Sequence, residues 1–350
     1  MAEISLDSKD FCPPKEALDS AIRGELTLVV YHWRGFEGFL IQKIAPRAMA
    51  LEAHPEDSVQ DVLENLPDHP GVFLFQLNCS ITRNFPPCRD ALKLALIASG
   101  WILCNEDVED ITKRSLQRVL LEHGCNSVSI QRHGPLNELV VIKSNYNWGG
   151  SKEKELSEAQ RHQLDVTHIP REGMDQKSYL AWPRRKVAKT SWDDPSLTIE
   201  RYVGNRKKIY YRISVAGTRL HLVELANPHR IKKVAKSRVL DHFEVDLRSG
   251  PWLSHPRANR VLAEAVSTIR LLRLDFGSID VVIDDDGNPY VIDVNITPWF
   301  NKHTHFPELL HHLSHGQVRD LPPKPNPKPR RSVGLGSAFR QWLSRIRVGS

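Results

Sequence analysis

Residues 275–298 read DFGSIDVVIDDDGNPYVIDVNITP, and this stretch decides how the second half of the chain folds. Two apolar runs, Val281–Ile283 and Tyr290–Ile292, flank the dipeptide Asp286-Gly287. Asp-Gly between β-rich runs is a strong short-range signal for a hairpin with a two-residue turn. The stretch is therefore predicted to fold back on itself, with facing residues whose numbers sum to 573.

This register brings two acidic residues together. The predicted facing pairs are Ile283 with Tyr290, Val282 with Val291, and Asp280 with Asp293. Asn295 points the same way as Asp293, because side chains alternate faces along a strand. Like charges placed opposite each other destabilise a hairpin unless a positive charge lies between them. Because Mg²⁺ takes carboxylate and amide oxygens, we predict a metal site formed by Asp280, Asp293 and Asn295.

The alternative is a hairpin whose acids are simply solvated. For Asp284, Asp285 and Asp286 at the tip this is the preferred interpretation, because Asp is typical of turns. Asp280 and Asp293 lie within otherwise apolar strands, which favours the metal site for them.

The hairpin also carries a family resemblance. A metal-binding Asp, a short hairpin and then acid-x-Asn-x-x-Pro, here Asp293 to Pro298, is similar to the C-terminal signature of the ATP-grasp superfamily. The resemblance implies an α/β ATP-grasp fold, ATP, and Mg²⁺ or Mn²⁺ as the metal. One departure is that most members carry Glu where this chain has Asp293.

A second stretch, residues 138–152, reads ELVVIKSNYNWGGSK. A strand that ends in Lys143 and runs into Gly149 and Gly150 places an ammonium beside backbone N–H groups that can approach phosphate oxygens closely. It resembles the strand lysine and the flexible Gly-Gly lid that cover the ATP phosphates in the superfamily. The usual additional glycine after the pair is missing.

Further nucleotide-binding residues are implied by the resemblance. Lys113, at the start of a predicted helix over 113–122, is the candidate for a phosphate-contacting lysine; a solvated helix face is the alternative. Glu200 and Val203 match the hinge that holds adenine; the alternative for Glu200 is a surface acid on an edge strand. Arg212 would help to neutralise the triphosphate, because its guanidinium can bind phosphate in two places.

The first hundred residues predict a small α/β domain. Strands are predicted over 25–33, 72–77 and 101–104, and helices over 58–66 and 91–99. Strands that alternate with helices at these lengths indicate at least some parallel pairing. The predicted organisation is an N-terminal α/β domain over 1–104, an ATP-grasp domain over 105–318, and a basic tail over 319–350.

The net charge of +6 belongs to the tail. Residues 319–350 contain eight Lys and Arg and one acid, a charge of +7, which leaves −1 for the rest of the chain. Nucleic acid is therefore not the expected partner, and the basic segment 182–186 is assigned to the protein surface or to an anion contact. The Pro-rich tail is predicted to be disordered and to be available to an acidic partner.

Other features bound the class of protein. Hydrophobic residues make up 40% and charged residues 26% of the chain, as in ordinary globular proteins. We expect no transmembrane segment, no signal peptide and a cytoplasmic location. The five cysteines lack C-x-x-C spacing, which argues against a cysteine zinc site. His311, His312 and His315 do not match a metal-ligand spacing, and we expect them to face solvent on a terminal helix.

The predicted function is that of a ligase which uses ATP and Mg²⁺ to join a small-molecule carboxylate to an amine or similar nucleophile, through an acyl phosphate. Asp280 and Arg212 are the candidates for catalysis, by positioning and electrostatics. The alternatives are an ATP-grasp phosphotransferase, or kinase, and a non-catalytic ATP-binding scaffold. A homodimer is left open.

Overall fold

The N-terminal part of the chain forms a parallel sheet in the order β2-β1-β3-β4. This computed structural model describes residues 13–169, 179, 181–229, 237–249, 253–300 and 307–316. The strands are β1 (Leu28–His32), β2 (Met49–Glu52), β3 (Val72–Gln76) and β4 (Ile102–Cys104). All residues of β1 and β3 are buried, as expected for strands covered on both faces. The predicted parallel pairing is confirmed.

Helices connect and cover these strands. They are α1 (Pro13–Ile22), α2 (Leu40–Ile44), α3 (Val59–Glu64), α4 (Arg89–Ala98) and α5 (Lys113–Glu122). Helix α5 has the predicted bounds, with Thr112 accepting a hydrogen bond from the N–H of Ser115 as the cap. Helix α3 begins at a capping box between Ser58 and Asp61.

An antiparallel sheet in the order β10-β9-β8-β11-β12 carries the acid-bearing hairpin. Its strands are β8 (Ile209–Ala216), β9 (Arg219–Ala226), β10 (Arg238–Asp246), β11 (Phe276–Ile283) and β12 (Pro289–Asn295), and helix α8 (Pro256–Leu272) precedes β11. Tyr211, Ile213 and Val215 of β8 pack in one apolar core with the buried residues of α8. Because side chains alternate, Arg212 and Ser214 lie on the opposite face.

The cross-strand register of this opposite face is continuous through all five strands. One row runs Asp293, Asp280, Arg212, Val223 and His242, and the next runs Asn295, Ser278, Ser214, His221 and Glu244. The polar residues at the two ends of the sheet therefore share one face.

A smaller sheet lies between the two others in sequence, in the order β6-β5-β7. Its strands are β5 (Leu139–Ser144), β6 (Ala181–Pro183) and β7 (Leu197–Arg201), with helices α6 (Glu158–Gln163) and α7 (Lys189–Asp193) between them. In the basic segment, Arg184 is buried and forms an ion pair with Glu138, which gives this arginine a structural role.

Asn105 joins the parallel sheet to the antiparallel one. It follows β4 with a left-handed φ of 54° and is completely buried. Its Oδ1 accepts from the N–H groups of Asp275 (2.8 Å) and Phe276 (3.1 Å), and its Nδ2 donates to the Phe276 carbonyl (2.9 Å). In return, its own N–H donates to the Asp275 carboxylate at 2.8 Å. One side chain thus fixes the end of β4 against the start of β11.

Histidines occupy structural positions in two helices of the second half of the chain. Helix α8 begins at Pro256, and the side chain of His255 accepts a hydrogen bond from the N–H of Ala258 as its cap. Asn259 lies inside the first turns and accepts from the N–H of Leu253 at 3.2 Å. At the other end of the chain, His312 in helix α9 (Pro307–Leu313) is buried instead of solvent-facing.

His315 also differs from the expectation. Its Nε2 lies 3.1 Å from Oδ1 of Asp19, and its side chain is 2% exposed.

None of the helices in the described ranges has the length and apolar composition needed to cross a bilayer. Residues 319–350 lie outside the described residues, so the predicted disorder of the tail and the proposed domain boundaries stay predictions.

We expect Asn105→Ala to lower the free energy of unfolding by about 4 kcal/mol, because several buried backbone groups lose their partners and each unsatisfied group costs roughly 1–3 kcal/mol. Urea denaturation measures the change. Asn105→Gly relieves the strain of a left-handed Ala, and Asn288→Ala on the exposed hairpin tip is the control. A loss as small as that of the control would contradict the role assigned to Asn105.

A second prediction concerns pH. Burial raises the pKa of Glu264 to about 7, even though the N–H of Asn126 donates to its carboxylate. When the pKa of a carboxyl group is higher in the folded chain than in the unfolded chain, the group does not destabilise the fold at pH values below its unfolded pKa. At pH values above its folded pKa, it destabilises the fold by the full amount that corresponds to the shift. Glu264→Gln is therefore expected to stabilise the fold by about 1–2 kcal/mol at pH 8 and negligibly below pH 4.5, after allowance for partial solvent exposure.

Thermal unfolding across this pH range checks the prediction, with Glu122→Gln on an exposed position of α5 as the control. A pH-independent difference between the Glu264 variant and the unmodified chain would contradict it.

Candidate active site

The acid-bearing hairpin pairs Asp280 with Asp293 as predicted, but its register next to the turn differs from the prediction. Next to the turn the observed pairs are Ile283 with Pro289, Val282 with Tyr290, and Val281 with Val291, so the expected register is wrong there by one residue. A β-bulge then leaves Ile292 as an extra residue on β12, after which Asp280 faces Asp293. The bulge is what brings the two carboxylates opposite each other.

Each of these acids has its own cation. Arg212, which faces Asp280 across β8 and β11, donates through Nε and Nη2 to the two carboxylate oxygens at 2.7 Å each. Lys113 places Nζ 3.2 Å from Oδ1 of Asp293. Burial alone would lower the pKa of Arg212, but the charge of Asp280 outweighs it and raises that pKa. Two of the three expected phosphate-binding cations, Lys113 and Arg212, therefore lie at the acid pair.

Lys143 and Glu200 form a third pair beside the first two. They lie diagonally on one face of β5 and β7, with Nζ of Lys143 2.5 Å from Oε2 of Glu200. The two side chains are only 11% and 4% exposed. Burial raises the pKa of Glu200, while Lys143 opposes the shift. Glu200 is thus a buried acid, and the alternative of an edge-strand surface residue is wrong.

Donor side chains cover the outer edge of β12. Gln117 of α5 donates to the carbonyl of Val291 at 2.8 Å. Lys143 donates to the carbonyl of the bulged Ile292 at 3.4 Å, and Asn147 donates to that of Val294 at 3.0 Å. An open strand edge needs such partners, and these connect α5 and β5 to the strand that carries Asp293.

The Gly-Gly segment is folded against the loop that carries Ser80. Trp148, Gly149 and Gly150 have φ values of 51°, 68° and 73°, a left-handed conformation that costs glycine nothing. Just before them, the N–H of Asn147 donates to Oγ of Ser80 at 2.8 Å. Just after them, the buried carboxylate of Glu153 accepts from the N–H of Ser80 at 2.6 Å. Ser80 therefore holds the segment on both sides.

Sequence reasoning missed Asn147, Ser80 and Glu153. The sequence signal available for Asn147 was its position four residues after Lys143. In the structure, Oδ1 of Asn147 also lies 3.2 Å from Nζ of Lys113. Nothing local marked Ser80 or Glu153, because their contact joins residues 73 positions apart.

Val203 lies where the resemblance puts the adenine hinge. It follows β7 and is half-buried, in the segment that leads to β8. The N–H of the preceding Tyr202 donates to the carbonyl of Leu139 at 2.9 Å, so the hinge continues alongside β5. Contact of Val203 with a base stays a prediction.

The residues at the acid pair fit a hard divalent cation. Their donor set is all oxygen: two carboxylates and the amide of Asn295. Oδ1 of Asp293 is buried and has no hydrogen-bond partner, although Lys113 lies close enough for an ion pair. Oδ1 of Asn295 accepts from the N–H and hydroxyl of Thr297, at 2.9 and 3.0 Å. Thr297 thus fixes the orientation of the third candidate ligand.

Comparison with known proteins gives matches in structure alone. No family model matches the chain, and no curated protein matches it in sequence. A D-alanine–D-alanine ligase from Bacillus anthracis is 13% identical, with 83% of this chain and 96% of that one covered and a TM-score of 0.42. The ATP-grasp ligase PsnB, solved with a precursor variant, Mg and ADP, is 11% identical, with 83% and 98% covered and a TM-score of 0.48.

An L-amino acid ligase from Bacillus licheniformis is 9% identical, with 77% of this chain and 67% of that one covered and a TM-score of 0.44. The structure is thus similar to those of these three ligases. Because these TM-scores are below 0.5, we draw no conclusion about activity from them.

We expect Lys143→Met to lower the free energy of unfolding by about 3–5 kcal/mol, because it leaves the carboxylate of Glu200 buried without its counter-charge. The double variant Lys143→Met/Glu200→Leu should recover most of the loss. The exposed pair of Arg118 and Glu122 supplies the control, since Arg118→Met should cost less than about 1 kcal/mol.

Urea denaturation of the four chains measures these differences. If the double variant does not recover stability, the unpaired buried charge of Glu200 is not the cause of the loss in Lys143→Met.

Proposed function

We propose that this protein is a ligase that uses ATP and Mg²⁺, or Mn²⁺, to join a carboxylate to an amine or similar nucleophile through an acyl phosphate. The single observation that carries the proposal is the meeting of Asp280 and Asp293 across the hairpin, each with a cation within 3.2 Å. The similarity of the sequence motif to the ATP-grasp signature supports it.

The charges suit phosphoryl transfer. Asp280, Asp293 and Glu200 balance Arg212, Lys113 and Lys143, so the site is neutral before a nucleotide enters. A bound divalent ion would be held by Asp280, Asp293 and Asn295, and would supply charge stabilisation at the transferred phosphoryl group. Arg212 and Lys113, which now contact the two carboxylates, are then positioned to bind phosphate oxygens instead. Lys143 is the further phosphate contact, and Gly149 and Gly150 offer backbone N–H groups.

The proposed reaction has two steps. A carboxylate oxygen attacks the γ-phosphorus, the bond to the β–γ bridging oxygen breaks, and ADP leaves. The nucleophile then attacks the acyl carbon, loses a proton and displaces inorganic phosphate. Arg212 and Lys113 act by charge and position, which is how such transfers are catalysed. Glu200 and the backbone around Val203 are proposed to bind the adenosine part.

ATP turnover with Mg²⁺ across pooled amino acids, small peptides and hydroxy acids tests the proposal, with ADP, AMP and phosphate separated by chromatography. We expect ADP and phosphate to appear only with a carboxylate and nucleophile pair. Asp293→Asn should reduce the rate at least 100-fold, because the metal loses a charged ligand. Asp286→Asn, at the exposed hairpin tip, is the matched control and should leave the rate unchanged.

The alternatives predict other products. Stable transfer of phosphate to one acceptor would show a phosphotransferase. AMP release would contradict the ATP-grasp mechanism, and ATP binding without turnover in any pool would favour a scaffold. A cytoplasmic location, a homodimer and an acidic partner for the basic tail stay predictions from the sequence.

A further inference from the structure

A second cluster of metal-ligand side chains lies at the other end of the antiparallel sheet. His221 of β9 faces Glu244 of β10 directly, and His242 lies diagonally across on the same face. One potential ligand atom from each of the three lies within 4.8 Å of the other two. We propose that His221, His242 and Glu244 bind a divalent transition metal of the Zn²⁺ class, separate from the site proposed for Mg²⁺ and ATP.

The donor set indicates the class of metal. Two imidazole nitrogens and one carboxylate oxygen suit Zn²⁺, Co²⁺ or Ni²⁺, whereas Mg²⁺ prefers oxygen ligands alone. Ligand atoms of a tetrahedral zinc site lie about 3.4 Å apart, from metal–nitrogen distances of about 2.0–2.1 Å. His242 and Glu244 are exposed, so small rotations of their side chains can shorten the distances between ligand atoms, which are at most 4.8 Å here, to those of a zinc site. His221 is fully buried and supplies a fixed position.

His312 of α9 lies next to the cluster. Its Nε2 lies 3.1 Å from the carbonyl of Leu220 and 3.2 Å from that of Val245, the pair next to His221 and Glu244 in the strand register. Donation from Nε2 to these carbonyls leaves Nδ1 as the acceptor, and Nδ1 faces Glu244 at 3.6 Å. A backbone carbonyl that holds one ring nitrogen is the usual support for a histidine ligand. His312 therefore lies beside Glu244 at the edge of the three-residue cluster.

The sheet geometry separates this site from the acid pair. Neighbouring strands are about 4.8 Å apart, so β10 lies roughly 14 Å from β11, which carries Asp280. The two ions of a joint two-metal centre lie only about 3.5–4 Å apart. The ion at His221 and Glu244 would instead connect the edge strand β10 to β9 and α9, and its presence does not depend on the function proposed above.

Co²⁺ binding to the full chain, purified without a histidine tag, tests the proposal. We expect one Co²⁺ per chain with the strong visible absorption of a four- or five-coordinate ion, displaced by one equivalent of Zn²⁺. His242→Ala and Glu244→Gln change exposed side chains and should each weaken Co²⁺ binding at least tenfold. His133→Ala, at an exposed loop histidine, should bind Co²⁺ as the unmodified chain does, and Asp293→Asn, at the acid pair, should keep the strong visible absorption.

Three results would overturn the proposal. They are the lack of a strong Co²⁺ spectrum in the unmodified chain, an unchanged affinity in both cluster variants, and loss of the spectrum in Asp293→Asn. Circular dichroism of each variant confirms that a loss of binding is not a loss of fold.

Discussion

The hydrogen bonds of Asn105 are the constraint on which the rest of the structure depends. They join the end of β4 to the start of β11, so the strand that carries Asp280 begins at a fixed place against the parallel sheet. Lys15 reinforces the junction through an ion pair with Asp275 at 3.0 Å. Because these groups are buried, the junction cannot exchange its bonds for water, and the two sheets keep one relative position.

Electrostatic pairing explains why the candidate site is stable before it binds anything. Two facing carboxylates would repel each other, yet Arg212 and Lys113 each neutralise one of them. Both pairs are partly shielded from solvent, so the cations are already positioned when phosphate oxygens arrive. The covered edge of β12 keeps the strand of Asp293 in register with its neighbours.

One sheet face carries both the acid pair and the histidine cluster. The apolar side of the sheet packs on α8, which leaves its other side for polar residues along two continuous rows. At the β12 end these residues are oxygen ligands and cations, and at the β10 end they are imidazoles and a carboxylate. The difference in ligand chemistry is the physical reason for assigning different metals to the two ends.

The sequence by itself determined the parallel N-terminal layer and the bounds of α5, because local periodicity and capping specify them. It also predicted that Asp280 meets Asp293, but from a turn register that the structure does not have. Only the tertiary structure decided the bulge at Ile292, since it depends on partners that β12 acquires from distant segments. The contact of Ser80 with Glu153 and the cluster around His221 were likewise beyond reach. Ser80 and Glu153 are 73 positions apart, and no local pattern records which side chains of β9 and β10 face each other.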